Sequence, residues 1–168
     1  MPHVVFQRAL SASPNRVGVA ATLSAGALDR VGVRHLLCGG LAVAAHGYAR
    51  ATTDVDFLVG DEAFDSHGAL VTMKAGIPFD VGGVKIDLIT MPEVQGWIEE
   101  ELDTNTTGVV SVELLIVMKL GVYRPKDRLD VIELLRVDAD RAEAVRARYS
   151  LPSEYARRLA VCEREALK

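Results

Sequence analysis

The chain has 168 residues, of which 49% are hydrophobic and 25% are charged, with a formal net charge of -4. This length suits one domain with a proper core, and the composition is that of an ordinary soluble protein. The acidic balance excludes a molecule built throughout as a nonspecific nucleic-acid binder. We expect a single domain over residues 1–168, with an α/β core at 1–110 and a helical C-terminal part at 111–168.

The cysteine content and the absence of long apolar segments bear on the compartment. Cys38 and Cys162 are far apart and have no metal-ligand spacing, which predicts free, packed thiols in a reducing compartment. No stretch is long and apolar enough to span a bilayer, and the first residues lack a basic start followed by an apolar run. The expectation is a cytoplasmic protein with no membrane partner.

The predicted elements of the first third alternate between helix and strand. Apolar residues at helical spacing predict a helix over 17–31, and a short apolar run predicts a strand over 33–38. Gly39 and Gly40 then open a helix over 39–46, which is followed by a second strand over 54–59. This order predicts an α/β arrangement.

A glycine pair predicts a hairpin in the middle of the chain. Gly82 and Gly83 separate apolar runs at 77–81 and 84–89, and glycine tolerates the positive φ of a two-residue turn. In that register Asp80 lies opposite Lys85, and Asp87 points to the same face as Lys85.

The last third of the chain is predicted to be helical. Residues 109–110 are predicted to add one strand before Ser111, which has the character of a helix N-cap. Apolar periodicity then predicts helices over 112–120, 126–135, 139–149 and 153–167. Asp138 and Ser153 are the N-caps predicted for the last two helices.

Asp54 and Asp56 are the strongest functional signal in the sequence. Residues two apart on a strand point to the same side, so both carboxylates face one side while Val55 and Phe57 face the core. Two close like charges repel, and a divalent cation relieves that repulsion. The alternative interpretation is a pair of solvated carboxylates at a strand end. The preceding glycine turn opens a helix, which suits a phosphate group.

Gly39-Gly40 followed by Asp54-Val55-Asp56 resembles the motif of nucleotidyltransferases of the DNA polymerase β superfamily, which also has a later third Asp. The run 39–56 and the stretches 111–120 and 124–131 are most similar to small AbiEii-type proteins of type IV toxin-antitoxin systems. The matching stretches span positions 34–135. Two features depart from this pattern: Gly40 stands where many relatives carry a serine that touches the triphosphate, and the segment before the third Asp is short.

The resemblance implies a nucleotidyltransferase fold, in which a mixed central β-sheet is flanked by helices with a C-terminal helical cap. It also implies an enzyme that binds Mg²⁺ (or Mn²⁺) through Asp54, Asp56 and Asp87 and uses an NTP as substrate. Asp87 would accept the proton of the attacking hydroxyl. Its alternative role is a cross-strand charge pair. Asp80 competes for the third position, but Lys85 opposite it is predicted to satisfy its charge.

The same resemblance implies residues that bind the triphosphate. Gly39 and Gly40 would approach the β- and γ-phosphates, Lys119 or Lys126 would contact the triphosphate, and Asp127 would orient such a lysine. The alternative is an ordinary strand-to-helix turn, a lysine with a buried stem, and i,i+4 charge pairs such as Lys126 with Asp130.

The acceptor classes implied by the resemblance are RNA, especially a tRNA end, a protein hydroxyl and a small molecule such as an antibiotic. A partner protein of a toxin-antitoxin pair is also implied. The alternative function is a catalytically inactive, antitoxin-like binding module with the same fold. His46, Tyr48 and Arg50 precede the Asp pair in a loop that is predicted to reach substrate, although His46 also fits a satisfied helix end.

Overall fold

The computed structural model describes residues 15–67, 70–74 and 76–168. The helices of this part are α1 (Asn15–Arg30), α2 (Gly39–Ala45), α3 (Gln95–Thr104), α4 (Val112–Val122), α5 (Pro125–Val137), α6 (Arg141–Arg148) and α7 (Ser153–Ala166). The strands are β1 (His35–Cys38), β2 (Val55–Val59), β3 (Phe64–His67), β4 (Leu70–Met73), β5 (Asp80–Val81) and β6 (Val84–Ile89). We expect no leader with a basic start followed by an apolar run in the first residues, and these residues lie outside the described ranges.

A mixed four-stranded sheet with the order β1-β2-β6-β5 forms the centre of the fold. Strand β2 is antiparallel to β1 and parallel to β6, and β5 is antiparallel to β6. Beyond β1, Leu37 forms a parallel bridge with Val109. Strands β3 and β4 form a separate hairpin. The prediction of an α/β fold with a mixed sheet is thus confirmed.

The central position of β2 follows from its sequence. Phe57, Leu58 and Val59 are fully buried, because the strand has neighbours on both edges and helices pack on the sheet. Helix α4 is apolar around most of its circumference, and its residues 114–120 are all buried, which is typical of a helix enclosed by other elements. One hydrophobic cluster includes residues of both the sheet and the C-terminal helices, from Val17 to Cys162.

Most predicted elements are present with bounds shifted by one or two residues. The hairpin register with Asp80 opposite Lys85 is confirmed, and the Ser111 hydroxyl accepts a hydrogen bond from the amide of Leu114 as an N-cap. The strand expected at 77–81 is shorter, at Asp80–Val81, and residues 109–110 contribute a single bridge. Both cysteine thiols are free and buried.

Two predicted helix caps are wrong. Asp140, and not Asp138, is the N-cap of α6, and Pro152, and not Ser153, is the N-cap of α7. Asp138 ends α5, and its carboxylate accepts a hydrogen bond of 3.0 Å from the amide of Asp140. This local side-chain contact closes the turn between the two helices.

The sequence patterns did not predict helix α3 or the β3–β4 hairpin. Helix α3 buries Ile98 and Leu102, but Glu101 between them is buried as well and interrupts the apolar stripe. Glu101 accepts hydrogen bonds from Ser111 and Arg148, so its burial is satisfied. Among the helices in the described ranges, none combines the length and apolar character needed to cross a membrane.

Candidate metal centre

Three carboxylates meet at one edge of the central sheet. Asp56 of β2 is paired in register with Asp87 of β6 on one side and with Cys38 of β1 on the other. Asp54 lies immediately before β2. One carboxylate oxygen from each of Asp54, Asp56 and Asp87 lies within 4.8 Å of the others, and all three residues are half-buried. The structure therefore brings together the three acids that were predicted to bind a metal.

The electrostatics of this cluster favour a cation. Burial, together with the neighbouring charges of Asp54 and Asp87, raises the pKa of Asp56 to about 6 from its usual 3.8. Lys119 and Lys126 act in the opposite direction. Half-buried carboxylates that repel one another form an all-oxygen donor set, which hard divalent ions such as Mg²⁺ prefer. These residues can hold a metal ion.

Asp80 does not belong to this cluster, and the predicted Asp80–Lys85 ion pair is wrong. The exposed Asp80 accepts a hydrogen bond of 2.9 Å from the amide of Gly83 in the hairpin turn. The Lys85 ammonium lies 2.8 Å from Asp87 Oδ1 instead. Because these two residues are two apart on one strand, they share a face, and the lysine contacts a candidate metal ligand directly.

Gly39 and Gly40 make room for side chains of the same protein. Gly39 has a φ of +61°, and a Cβ there would lie 1.8 Å from Asp56 Oδ2. A Cβ on Gly40 would lie 2.8 Å from Thr52 Oγ1 and 3.1 Å from Arg50 Nη1. Real Cβ atoms do not approach other atoms so closely. A side chain at position 40 would therefore require Thr52 or Arg50 to shift.

Thr52 orients the first carboxylate, and sequence patterns gave no signal for it. Its hydroxyl donates a hydrogen bond of 2.9 Å to Asp54 Oδ1. Thr52 is 6% exposed, so this hydroxyl has few competing partners. The hydrogen bond restricts the rotation of the Asp54 carboxylate and occupies only one of its two oxygens.

Lys119 is held by two carboxylates of α5. Its ammonium lies 2.6 Å from Asp130 Oδ2 and 3.4 Å from Asp127 Oδ1. Asp127 also accepts hydrogen bonds from the amide and the guanidinium of Arg124, and so caps α5. Asp127 thus contacts a lysine, as predicted. Lys119, however, is a buried residue with partners inside the protein.

Asp130 is the centre of this buried group of charges, and the predicted Lys126–Asp130 pair is wrong. Asp130 is fully buried, and Arg50 binds both of its oxygens, with Nε 2.6 Å from Oδ1 and Nη2 2.8 Å from Oδ2. Lys126 is exposed and forms no ion pair with any residue in the described ranges. Of the two candidate lysines, Lys126 is therefore the one whose ammonium is available to a ligand.

His46 ends α2, and its ring Nε2 lies 2.7 Å from the carbonyl oxygen of Val110. Burial lowers the pKa of His46, so the ring is a neutral, satisfied helix-end side chain.

A cavity of about 610 Å³ opens beside the three carboxylates. Apolar residues contribute to its lining: Leu88, Ile89, Met91, Leu115, Met118 and Val122. The lining also includes Gly39, Gly40, Lys85, Lys119, Lys126 and Asp127. Ligand sites of small molecules commonly have volumes of about 300–1,000 Å³ and combine apolar walls with a few charged groups. The predicted site residues thus line one cavity.

Comparisons of the chain with protein-family models, with curated proteins and with solved structures find no match.

Proposed function

We propose that the chain is a metal-dependent nucleotidyltransferase, which transfers a nucleoside monophosphate from an NTP to a hydroxyl acceptor and releases pyrophosphate. The observation that carries this proposal is the convergence of Asp54, Asp56 and Asp87 within 4.8 Å at a cavity that also has exposed ammonium groups and apolar lining residues. Carboxylates, cations and an apolar surface are the three environments that a metal-bound nucleotide needs.

Each part of the cavity has a role in this reaction. Bound divalent ions neutralise phosphate charge and stabilise the charge that develops on the leaving pyrophosphate. Asp54 and Asp56 hold the metal, while Asp87, which is 33% exposed at its side chain, also accepts the proton of the acceptor hydroxyl. Lys126 and Lys85 bind phosphate oxygens, and the apolar lining residues pack against the base. Such a site works mainly by positioning and charge neutralisation.

The acceptor is an RNA end, a protein hydroxyl or a small molecule. Exposed Lys85 and Lys126, together with Arg124, which is 70% exposed at its side chain, lie around the cavity. These cations favour a ligand with several negative charges, such as a triphosphate beside a nucleic-acid end. We place the enzyme in the cytoplasm, where NTPs are present, as one member of a toxin-antitoxin pair.

The proposal is tested by calorimetric titration of the four NTPs, with and without Mg²⁺, into the wild type and Asp56→Asn. Asp80→Asn is the matched control, because Asp80 is a carboxylate on another strand of the same sheet and lies outside the cluster. We expect Mg²⁺-dependent binding in the wild type and the control, and its loss in Asp56→Asn. Radiolabelled transfer from the preferred NTP to RNA, protein and small hydroxyl compounds then identifies the acceptor.

A folded wild type that binds no NTP in the presence of Mg²⁺ would contradict the proposal. Stable copurification with a second protein, together with that result, would support the alternative of a catalytically inactive binding module.

A further inference from the structure

We propose that Asp130, which lies on α5 and does not line the cavity, is a positioning residue for the metal centre. It acts through Arg50 on the loop at 48–54, which carries Asp54 into the cluster. This inference rests on the proposed metal site, and it names the residues that keep its first carboxylate in place.

Asp54 needs such support because the sheet does not hold it. Pairing between β2 and β6 begins at Val55, opposite Ile86, and places Asp56 beside Asp87. Asp54 precedes the first paired residue, at the end of a loop without regular secondary structure. Two of the three carboxylates are therefore fixed by strand pairing, and the third depends on the loop.

The Arg50–Asp130 contact fixes this loop to α5. The guanidinium binds both carboxylate oxygens of Asp130, at 2.6 and 2.8 Å. Its third nitrogen, Nη1, lies 3.3 Å from the carbonyl oxygen of Ala51, so the same side chain also binds its own loop. A planar guanidinium with two bonds to one carboxylate allows little rotation. The side chains of Arg50 and Asp130 are 14% and 0% exposed, so water does not compete strongly.

Helix α2 supports the other side of the loop. Gly40 lets Thr52 and Arg50 approach its backbone so closely that an added Cβ would lie 2.8 Å from Thr52 Oγ1 and 3.1 Å from Arg50 Nη1. Thr52 then donates its hydroxyl hydrogen to Asp54 Oδ1. Asp130 thus binds Arg50, and Arg50 is joined to Thr52 by the backbone of residues 50–52. Thr52 in turn binds Asp54, so Asp130 is connected to the first carboxylate of the cluster.

Lys119 completes the support from a third element. Its ammonium lies 2.6 Å from Asp130 Oδ2. Asp130 therefore forms ion pairs with two cations, Lys119 of α4 and Arg50 of the loop. A buried carboxylate bound by two cations has its oxygens satisfied and keeps one orientation. Asp130 therefore connects α4, α5 and the loop before β2.

The first test compares Mn²⁺ affinity, measured by calorimetry, in the wild type, Asp130→Asn and Arg50→Lys. Arg50→Lys keeps the positive charge but loses the planar guanidinium that binds both oxygens of Asp130. This variant still tests the proposal if Asp130→Asn folds poorly. Loss of an outer residue that orients a metal ligand weakens metal binding by about 10- to 100-fold, and we expect this loss in both variants. Adding Thr52→Val to Asp130→Asn should cause little further loss, because both changes disturb the same contacts.

Two variants of α5 serve as controls. Glu133→Gln removes a carboxylate that pairs with Arg136 on the same helix, and Leu134→Ala creates a cavity in the core and lowers stability. Both should keep the wild-type Mn²⁺ affinity at a temperature where they are folded. A loss of affinity in Leu134→Ala equal to that in Asp130→Asn would show a general effect of stability and overturn the proposal.

Metal-free crystal structures of the wild type and the two test variants provide a readout that does not depend on metal binding. We expect the Asp54 carboxylate to leave the cluster in the variants, while Asp56 and Asp87 stay paired. Asp54 in its wild-type position in both variants would overturn the role of Asp130. A wild type that binds no Mn²⁺ would overturn the metal site, and the position of Asp54 would then decide the positioning role alone.

Discussion

Asp56 of β2 lies directly opposite Asp87 of β6 in the parallel register of the central sheet. Both side chains are half-buried, and the register keeps their backbone positions adjacent while the strands stay paired. The sheet therefore forces two like charges together, and Asp54 adds a third. An arrangement that opposes folding in the absence of a cation and favours it in the presence of one is typical of a binding site.

The first prediction is that Asp56→Asn stabilises the metal-free protein at high pH. The pKa of Asp56 is raised to about 6 from 3.8, so its ionisation costs stability. The cost is absent below the unfolded pKa, grows as the pH rises to about 6 and stays constant above it. Two pK units correspond to about 3 kcal/mol, so the variant should be more stable than the wild type by about 1–3 kcal/mol at pH 8.

Urea unfolding in the presence of a chelator at pH 4, 6 and 8 measures this difference, with Asp80→Asn as the control. The difference should shrink as the pH falls to 4. A metal-free wild type that is the more stable protein at pH 8 would contradict this prediction.

The second prediction concerns Gly40. Gly40→Ala places a Cβ within 3.1 Å of Thr52 and Arg50, so it should displace the loop and weaken Mn²⁺ binding. Gly96→Ala is the matched control, because nothing lies within 4 Å of a Cβ there and alanine favours the helix by about 0.5–1 kcal/mol. Calorimetry and thermal unfolding of both variants check this. Equal Mn²⁺ affinities in the two variants would show that position 40 has no influence on the site.

The third prediction is that Lys85→Gln strengthens metal binding. The Lys85 ammonium is 2.8 Å from Asp87 Oδ1, so it competes with a divalent ion for that oxygen and repels it. Mn²⁺ affinity should rise several-fold, and the gain should be larger at low ionic strength because this lysine is exposed. Arg157→Gln, which removes an exposed positive charge from α7, should leave the affinity unchanged. Weaker Mn²⁺ binding in Lys85→Gln would mean that the lysine supports the site.

The fourth prediction links stability to acid pH through Glu62. Its hydrogen bonds with Arg34 lower the pKa of Glu62 to about 2 from 4.5. A lowered pKa contributes stability that is complete above pH 4.5 and is lost as the pH falls towards 2. Because both side chains are partly exposed, we expect a contribution of only about 1 kcal/mol.

Glu62→Gln should therefore be less stable than the wild type at pH 7, and the difference in the free energy of unfolding should be clearly smaller at pH 2.5. Glu93→Gln, a change of an exposed glutamate, is the control. If the two proteins differ in free energy of unfolding by the same amount at pH 7 and at pH 2.5, the stability contribution does not come from the lowered pKa of Glu62.

Local rules indicated which face the acids of the cluster occupy, but they gave neither the parallel β2–β6 register that brings Asp56 and Asp87 together nor the loop contact that holds Asp54. Strand alternation placed Asp54 and Asp56 on one face, and the Gly82-Gly83 turn fixed the register that places Asp87 on the face of Lys85. Both rules concern neighbours in sequence or across a tight turn. They correctly indicated which acids share a surface.

The support of the cluster could not be predicted by the same rules. Local spacing paired Asp130 with Lys126, four positions away, whereas the structure pairs it with Arg50, 80 positions away. Contacts of that range depend on how helices pack on the sheet. One signal was present in the sequence: Asp130 lies one position before Val131 and four before Leu134, on the buried face of α5. An acid on such a face requires a cation from another element.

The Arg50–Asp130 contact also defines what a replacement for the C-terminal helices has to contain. Residues 111–168 supply the carboxylate that fixes the loop before β2, although the three acids themselves all come from residues 54–87. A chimera that grafts other helices onto the sheet can restore the hydrophobic contacts and still leave the arginine without its acid. Redesign of this part of the chain must therefore preserve one buried carboxylate as well as the shape of the apolar surface.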